Sequence, residues 1–187
     1  MTLWLALLAC GPPAPELTLS PAEPTSADTL VAQTEPVDNG YGDDLPLVYQ
    51  WSLDGEEVEG LEGPELGAGY TARGEEWTVQ VWALDGDVEG RRAQATTIIR
   101  NAPPVATLAG QERQASDEHL SVSVNVIDND GDDVTWSLRW SVDGQDSGET
   151  AEVLPPERTQ PGEIWVATLD ADDGQAAVQS TLEIEIY

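Results

Sequence analysis

The feature that most constrains this chain is that its two halves repeat. Trp51-Ser52-Leu53-Asp54-Gly55 returns as Trp140-Ser141-Val142-Asp143-Gly144 at an offset of 89 residues. Gly74-Glu75-Glu76-Trp77 returns as Gly162-Glu163-Ile164-Trp165 and Asp85-Gly86 as Asp173-Gly174, both at an offset of 88, and Asp38-Asn39 returns as Asp128-Asn129 at 90. Agreement at so many ordered positions does not arise by chance, and only single-residue insertions separate the copies. A period of this length marks a duplicated folding unit. The boundary falls at Asn101-Ala102-Pro103-Pro104, where paired prolines end one unit and open the next, as Pro12-Pro13 precede the first.

Within each copy the side chains alternate with the period of a strand. Val134, Trp136, Leu138, Trp140 and Val142 share one face, with Thr135, Ser137, Arg139 and Ser141 on the other, which predicts a half-buried strand. Leu45, Leu47, Tyr49, Trp51 and Leu53 do the same in the first copy. Trp77, Val79 and Val81 mark a later inward face, matched by Trp165, Ala167 and Leu169, and Leu120, Val122, Val124 and Val126 mark an earlier one. Asp-Gly pairs at 54, 85, 143 and 173 read as tight turns closing hairpins. Prolines and glycines, 13 and 17 of them, break the chain into short segments rich in β-branched and aromatic residues, so the expected class is all-β. About seven short strands per unit suit a two-sheet sandwich.

The unit resembles the immunoglobulin-like repeats, akin to polycystic-kidney-disease-type domains, found in tandem on bacterial and archaeal surface proteins. The resemblance rests on Asn101-Ala102-Pro103-Pro104, the acidic turn Asp128-Asn129-Asp130-Gly131-Asp132, the strand ending in Trp140 followed by Asp143-Gly144, the Gly162-to-Trp165 strand start, and Asp172-Asp173-Gly174. It implies two tandem immunoglobulin-like β-sandwich domains, with Trp51 and Trp140 as packing residues at the core position of strand C.

Met1 to Ala9 is an uncharged apolar run followed at once by Cys10, the chain's single cysteine. A helix of this length spans only about 14 Å, against the ~20 residues a bilayer crossing needs, so the run reads as a signal segment. Leu7-Leu8-Ala9-Cys10 resembles the bacterial lipobox. That resemblance implies export, cleavage before Cys10, acylation of Cys10, and a membrane contact through the lipid anchor. With Gly11 in place of an aspartate, it points to the outer membrane or cell surface. The expected organisation is a signal segment over 1–9, a lipidated cysteine and proline-rich tether over 10–15, and sandwich domains over 16–101 and 102–187.

Charge limits the partners. Thirty-six Asp and Glu face seven Arg, with no Lys, for a formal net charge of -29. Nucleic acid and anionic lipid headgroups are repelled by such a surface. Cations are its natural counterpart. Asp128-Asn129-Asp130-Gly131-Asp132-Asp133 places carboxylates at the density calcium requires, on the turn between the second and third strands of the second domain. The loop between the sixth and seventh strands is expected at Asp170 to Gly174, so Asp128, Asp130, Asp132, Asp170 and Asp172 form the candidate calcium ligands, placed to stiffen the joint at Pro103-Pro104. Asp38, Asp43, Asp85 and Asp87 form a looser counterpart in the first domain.

Catalytic chemistry finds little material. His119 is the one histidine and no free cysteine remains beside it once Cys10 is acylated, so the usual nucleophile–base pairs and zinc sites are absent and no enzyme is expected. The expected role is a structural or adhesive binding module with an unknown protein or glycan partner. Two alternatives stand beside it. One is an accessory subunit of an envelope complex. The other is a carbohydrate-binding module, which needs solvent-facing aromatics; Trp82, out of phase with the inward Trp77, Val79 and Val81, is the candidate, with Tyr41 or Tyr70 as companion.

Overall fold

The computed structural model describes residues 11–187. Two compact units divide the chain between Asn101 and Ala102, and each is all-β apart from one short 3-10 turn, at Ala68–Tyr70 and at Pro156–Arg158. In the first unit the strands are β1 (Leu17–Ser20), β2 (Leu30–Thr34), β3 (Leu47–Leu53), β4 (Glu56–Glu57), β5 (Glu65–Leu66), β6 (Glu76–Asp85), β7 (Val88–Glu89) and β8 (Ala93–Ile98). The second repeats the pattern as β9 (Val105–Gly110), β10 (Arg113–Gln114), β11 (Leu120–Ile127), β12 (Thr135–Val142), β13 (Gln145–Asp146), β14 (Val153–Leu154), β15 (Ile164–Asp172) and β16 (Ala177–Ile186).

In the second unit one sheet runs β14-β11-β9 and the other β10-β16-β15-β12-β13. All neighbours are antiparallel except β10, which lies parallel to β16. The first unit has β1-β2-β5 facing β4-β3-β6, with β7 and β8 along the far side of β6. This order, first-second-fifth against third-sixth-seventh, is that of an immunoglobulin-like sandwich. Leu30, Ala32 and Leu66 from one sheet meet Trp51, Trp77, Val79 and Val81 from the other, and Leu120, Val122 and Leu154 meet Trp140, Trp165, Ala167 and Ile184 in the same way. The repeated halves are therefore two tandem sandwiches, each around its own core.

The repeated motifs are accounted for by that core. Trp51 and Trp77 pack edge-to-face at 6.5 Å and 71°, and Trp140 and Trp165 at 6.1 Å and 71°. A buried indole N–H needs an acceptor. Trp51 Nε1 donates to the Gly63 carbonyl at 3.1 Å and Trp140 Nε1 to that of Ala151 at 2.9 Å. The Gly-Glu-x-Trp motif serves the other two indoles. Glu75 Oε2 accepts Trp77 Nε1 at 2.9 Å and the Ala72 amide at 2.7 Å, and Glu163 Oε2 accepts Trp165 Nε1 at 2.9 Å and the Gln160 amide at 2.8 Å. Asp54 and Asp143, with φ of 50° and 48°, and the glycine after each turn the β3–β4 and β12–β13 hairpins. Their carboxylates also accept the amides of Glu76 and Ile164, at 3.1 and 3.0 Å.

Two expectations are corrected. Of the stretch expected to be a tether, Cys10 lies outside the described residues, but Gly11 to Pro15 packs against the first unit. The Pro12 carbonyl accepts the Arg91 amide at 2.9 Å, and Pro15 is buried. A Cβ on Gly11 would stand 2.4 Å from the Glu89 carbonyl oxygen, so only glycine permits this approach. Prolines suit such an edge because they have no amide hydrogen to satisfy. Trp136, expected inward, lies opposite Ala171 where β12 begins, at the end of its sheet, and is 48% exposed.

The paired acceptors make a specific prediction. Glu163→Ala removes the acceptor from Trp165 Nε1 and from the Gln160 amide, and costs about 1–3 kcal/mol. The exposed control Glu157→Ala stays within about 0.5 kcal/mol. Urea unfolding of the two variants checks the difference.

Candidate functional site

The acidic turn of the second unit is built by its own side chains. β11 ends at Ile127, and the loop that follows folds back onto Asp128, whose Oδ1 accepts the amides of Asp130 at 2.8 Å and Asp132 at 3.2 Å. Gly131, with φ of 76°, provides the reversal. Asp130 Oδ2 then accepts the Ala102 amide at 2.8 Å, tying the loop to the first residue of the unit. As a result one carboxylate oxygen from each of Asp128, Asp130 and Asp132 lies within 4.8 Å of the other two.

Two atoms in this cluster have no counterpart. Asp128 Oδ2 and Asp130 Oδ1 are buried, and no donor reaches either among the described residues. Three carboxylates at this spacing repel by about 1–4 kcal/mol per pair at surface dielectric values. Each buried oxygen without a donor adds a desolvation cost of about 1–3 kcal/mol. A hard divalent cation removes both costs, and carboxylate oxygens from a flexible acidic loop are the ligands calcium takes. The donor set therefore fits calcium, with the remaining oxygens coming from water or backbone.

Asp170 and Asp172 do not join this cluster. β15 continues through Asp172, and the turn lies at 173–176, where the Asp173 carboxylate accepts the Gln175 and Ala176 amides. Asp170 lies on the outer face of the sheet, paired with Arg139 and accepting from Gln179 Nε2 at 2.6 Å. Asp172 is exposed and accepts the Gly174 amide at 2.7 Å. The signal was present in the alternation: Trp165, Ala167 and Leu169 extend inward to Ala171, so Asp170 and Asp172 must point outward.

The weaker set in the first unit does not assemble either. Asp38, Asp43, Asp85 and Asp87 are all exposed, and the cluster at Asp128 is the one such group found among the described residues. At the offset of 90, Asp130 and Asp132 correspond to Gly40 and Gly42, so the first loop lacks two of the three carboxylates. Asp38 and Asn39 there cap the amides of Gly40 and Tyr41.

Trp82 is not a solvent-facing platform. It lies on the outer face of β6, opposite Val48, yet is only 7% exposed. Arg92 covers its ring, with the guanidinium carbon 3.7 Å from the centroid, and is held there by Gln50 at 2.8 Å, Gln80 at 3.1 Å and Glu89 at 3.3 Å. The indole Nε1 is buried with no acceptor among the described residues. Tyr41 is 92% exposed on its loop, so the pair does not form an exposed aromatic face. What places Arg92 is a break in the last strand of the first unit: β7 and β8 are separated at Gly90-Arg91-Arg92, whereas β16 is continuous. The side of β3 away from β6 borders an open cleft of about 640 Å³, bounded by the 57–64 loop and reaching Trp82. His119 is exposed.

No protein-family model matches the chain, and no curated protein matches it. Among solved structures, it is similar to the three N-terminal domains of the bacteriophage RB49 highly immunogenic outer capsid protein Hoc, at 12% identity and a TM-score of 0.36, covering 92% of this chain and 59% of that one. It is similar also to the chicken CNTN1 FN1-FN3 domains, at 13% identity and 0.36 over 94% of this chain and 67% of that one. A chimeric titin Z1Z2 follows at 16% and 0.33, over 94% and 98%.

Arg92 is expected to seal Trp82 against solvent. Arg92→Ala should lower the stability of the first unit by about 1 kcal/mol. It should also speed deuterium exchange of the Trp82 indole hydrogen, which NMR reads directly.

Proposed function

We propose that the chain is an exported, lipid-anchored structural or adhesive module whose second domain is braced by calcium, and that it performs no catalysis. The observation that carries the calcium reading is the Asp128, Asp130 and Asp132 cluster, with two buried carboxylate oxygens that no donor reaches among the described residues. Calcium there completes a loop that already grips the Ala102 amide through Asp130, so it stiffens the opening of the second domain. The surface supports a cation-seeking role: 36 acids against 7 arginines leave nothing that attracts nucleic acid.

The anchor reading rests on the Leu7-Leu8-Ala9-Cys10 sequence. Two or more acyl chains hold a protein stably at about 0.8 kcal/mol per buried methylene. With Gly11 and Pro12 packed against the first unit, an anchor at Cys10 holds that domain close to its membrane, without a free spacer. The outer membrane or cell surface is the location this reading favours. Binding rather than catalysis suits two sandwiches whose repeated motifs are spent on folding.

Two measurements test these points. Calcium added to the full chain at about a hundred times its dissociation constant should stabilise it by about 2.7 kcal/mol and raise the melting temperature. Asp128→Asn with Asp130→Asn should abolish the response while preserving the fold, and an unchanged melt of the parent chain would sink the calcium reading. For the anchor, labelled palmitate should be incorporated in bacteria and the protein should fractionate with membranes. Cys10→Ser should lose both, and equal labelling of that variant would count against Cys10.

A further inference from the structure

We propose that the open edge of β3 in the first domain binds an extended basic peptide segment of a partner protein, which adds a strand there beside the 57–64 loop. The inference rests on reading the chain as a binding module and is independent of calcium. β3 pairs with β6 along its whole length, from Leu47 to Leu53, but β4 covers only Ser52 and Leu53 on the other side. In an antiparallel strand, successive residues direct their N–H and C=O groups to opposite sides. The Trp51 carbonyl accepts Val58 on the open side, so Leu47 and Tyr49 present their backbone groups there as well.

The second domain treats the same position differently. In both domains a loop amide donates to the tryptophan carbonyl at 3.0 Å, Val58 to Trp51 and Ser147 to Trp140, but in the second the Trp140 amide also donates to the Glu149 carbonyl at 3.0 Å. The first domain has one extra residue in this loop, and no loop carbonyl accepts the Trp51 amide among the described residues. A cleft of about 640 Å³ runs alongside instead, between Leu47–Gln50 and the 57–64 loop.

Its chemistry selects the occupant. Glu57, Glu59 and Glu62 line the cleft on the loop side, while Arg92 lies against Trp82 and Gln50 at its other border, so the loop wall attracts Lys and Arg. Its lining includes Trp82, nine-tenths buried, whose indole N–H lacks an acceptor. An added strand brings carbonyl acceptors and alternating side chains, so that main-chain hydrogen bonds supply affinity and the acidic wall supplies selectivity. A glycan satisfies neither the unpaired backbone ladder nor the acidic wall as well.

The test uses the isotope-labelled full chain and an octapeptide of alternating lysine and valine, followed by NMR with and without calcium. The amides of Leu47, Tyr49 and Trp51 and the Trp82 indole should shift, while Leu138 and Trp140 of the second domain serve as internal controls. N-methylation of alternate peptide amides should weaken binding about tenfold, as the loss of one or two backbone hydrogen bonds implies. Glu59→Gln with Glu62→Gln, both exposed, should weaken it while leaving the fold intact. Equal affinity for the methylated peptide, shifts spread evenly over both domains, or no shift at the β3 edge would each overturn the proposal. None of these outcomes bears on calcium, which is read separately at Asp128.

Discussion

Each sandwich is organised around an indole that has to be satisfied in an apolar core. Trp51 and Trp140 lie between the two sheets, where an N–H without an acceptor costs as much as a well-formed core contact contributes. The acceptor is a loop carbonyl, Gly63 or Ala151, so the segment leaving the fourth strand must cross at a fixed height. The facing indole, Trp77 or Trp165, is held by a glutamate two residues earlier, which also anchors the turn before the strand. Edge-to-face contact between the two rings sets β6 against β3 and β15 against β12, and the aspartate at the hairpin corner reaches across to the start of β6 or β15. Strand register and loop paths follow from these four side chains in each unit.

It follows that the residues the copies share are those that build the sandwich, and that function must be sought where the copies differ. Three differences bear on the surface each copy presents. Asp130 and Asp132 stand where the first copy has glycines, which turns a self-capped loop into a carboxylate cluster. With one extra residue between Val58 and Gly63, no loop carbonyl accepts the Trp51 amide among the described residues, whereas Glu149 accepts that of Trp140. The last strand of the first copy is broken at Gly90, which places Arg92 over Trp82 and brings the Pro12 carbonyl to Arg91. The second copy thus has a clustered acidic loop, and the first an open strand edge.

The alternation of side chains was enough to locate the cores, because one-sided burial leaves a period-two signal and Trp51, Trp77, Trp140 and Trp165 all obey it. It misled where local pattern and tertiary surroundings part company. Trp136 is in phase with Trp140, but phase does not say where a sheet stops being covered. Trp82 is out of phase, which predicts exposure; the arginine that covers it is ten residues away and arrives through a strand break that periodicity does not register. Asp170 and Asp172 fall in the stretch where the sandwich topology leads one to expect the loop between the sixth and seventh strands, although the alternation running through Ala171 places them on the outside of a strand. Gly11 to Pro15 has the composition of a spacer, yet a glycine that tolerates a close carbonyl and prolines that need no hydrogen bond equally suit a docked edge.

The surface charge gains its meaning from how few arginines there are and where they go. Arg92 is spent on Trp82, Arg139 on Asp170, Arg158 on Glu149, Arg113 on Glu185 and Arg100 on Glu23, all of them local contacts within one unit. Exposed ion pairs of this kind contribute little to stability. Carboxylates that cost free energy to hold together are stabilised by any added positive charge. A divalent ion suits the compact, partly buried cluster and a basic peptide the long open cleft, because desolvating a point charge requires closely packed oxygens whereas a peptide requires backbone partners along its length.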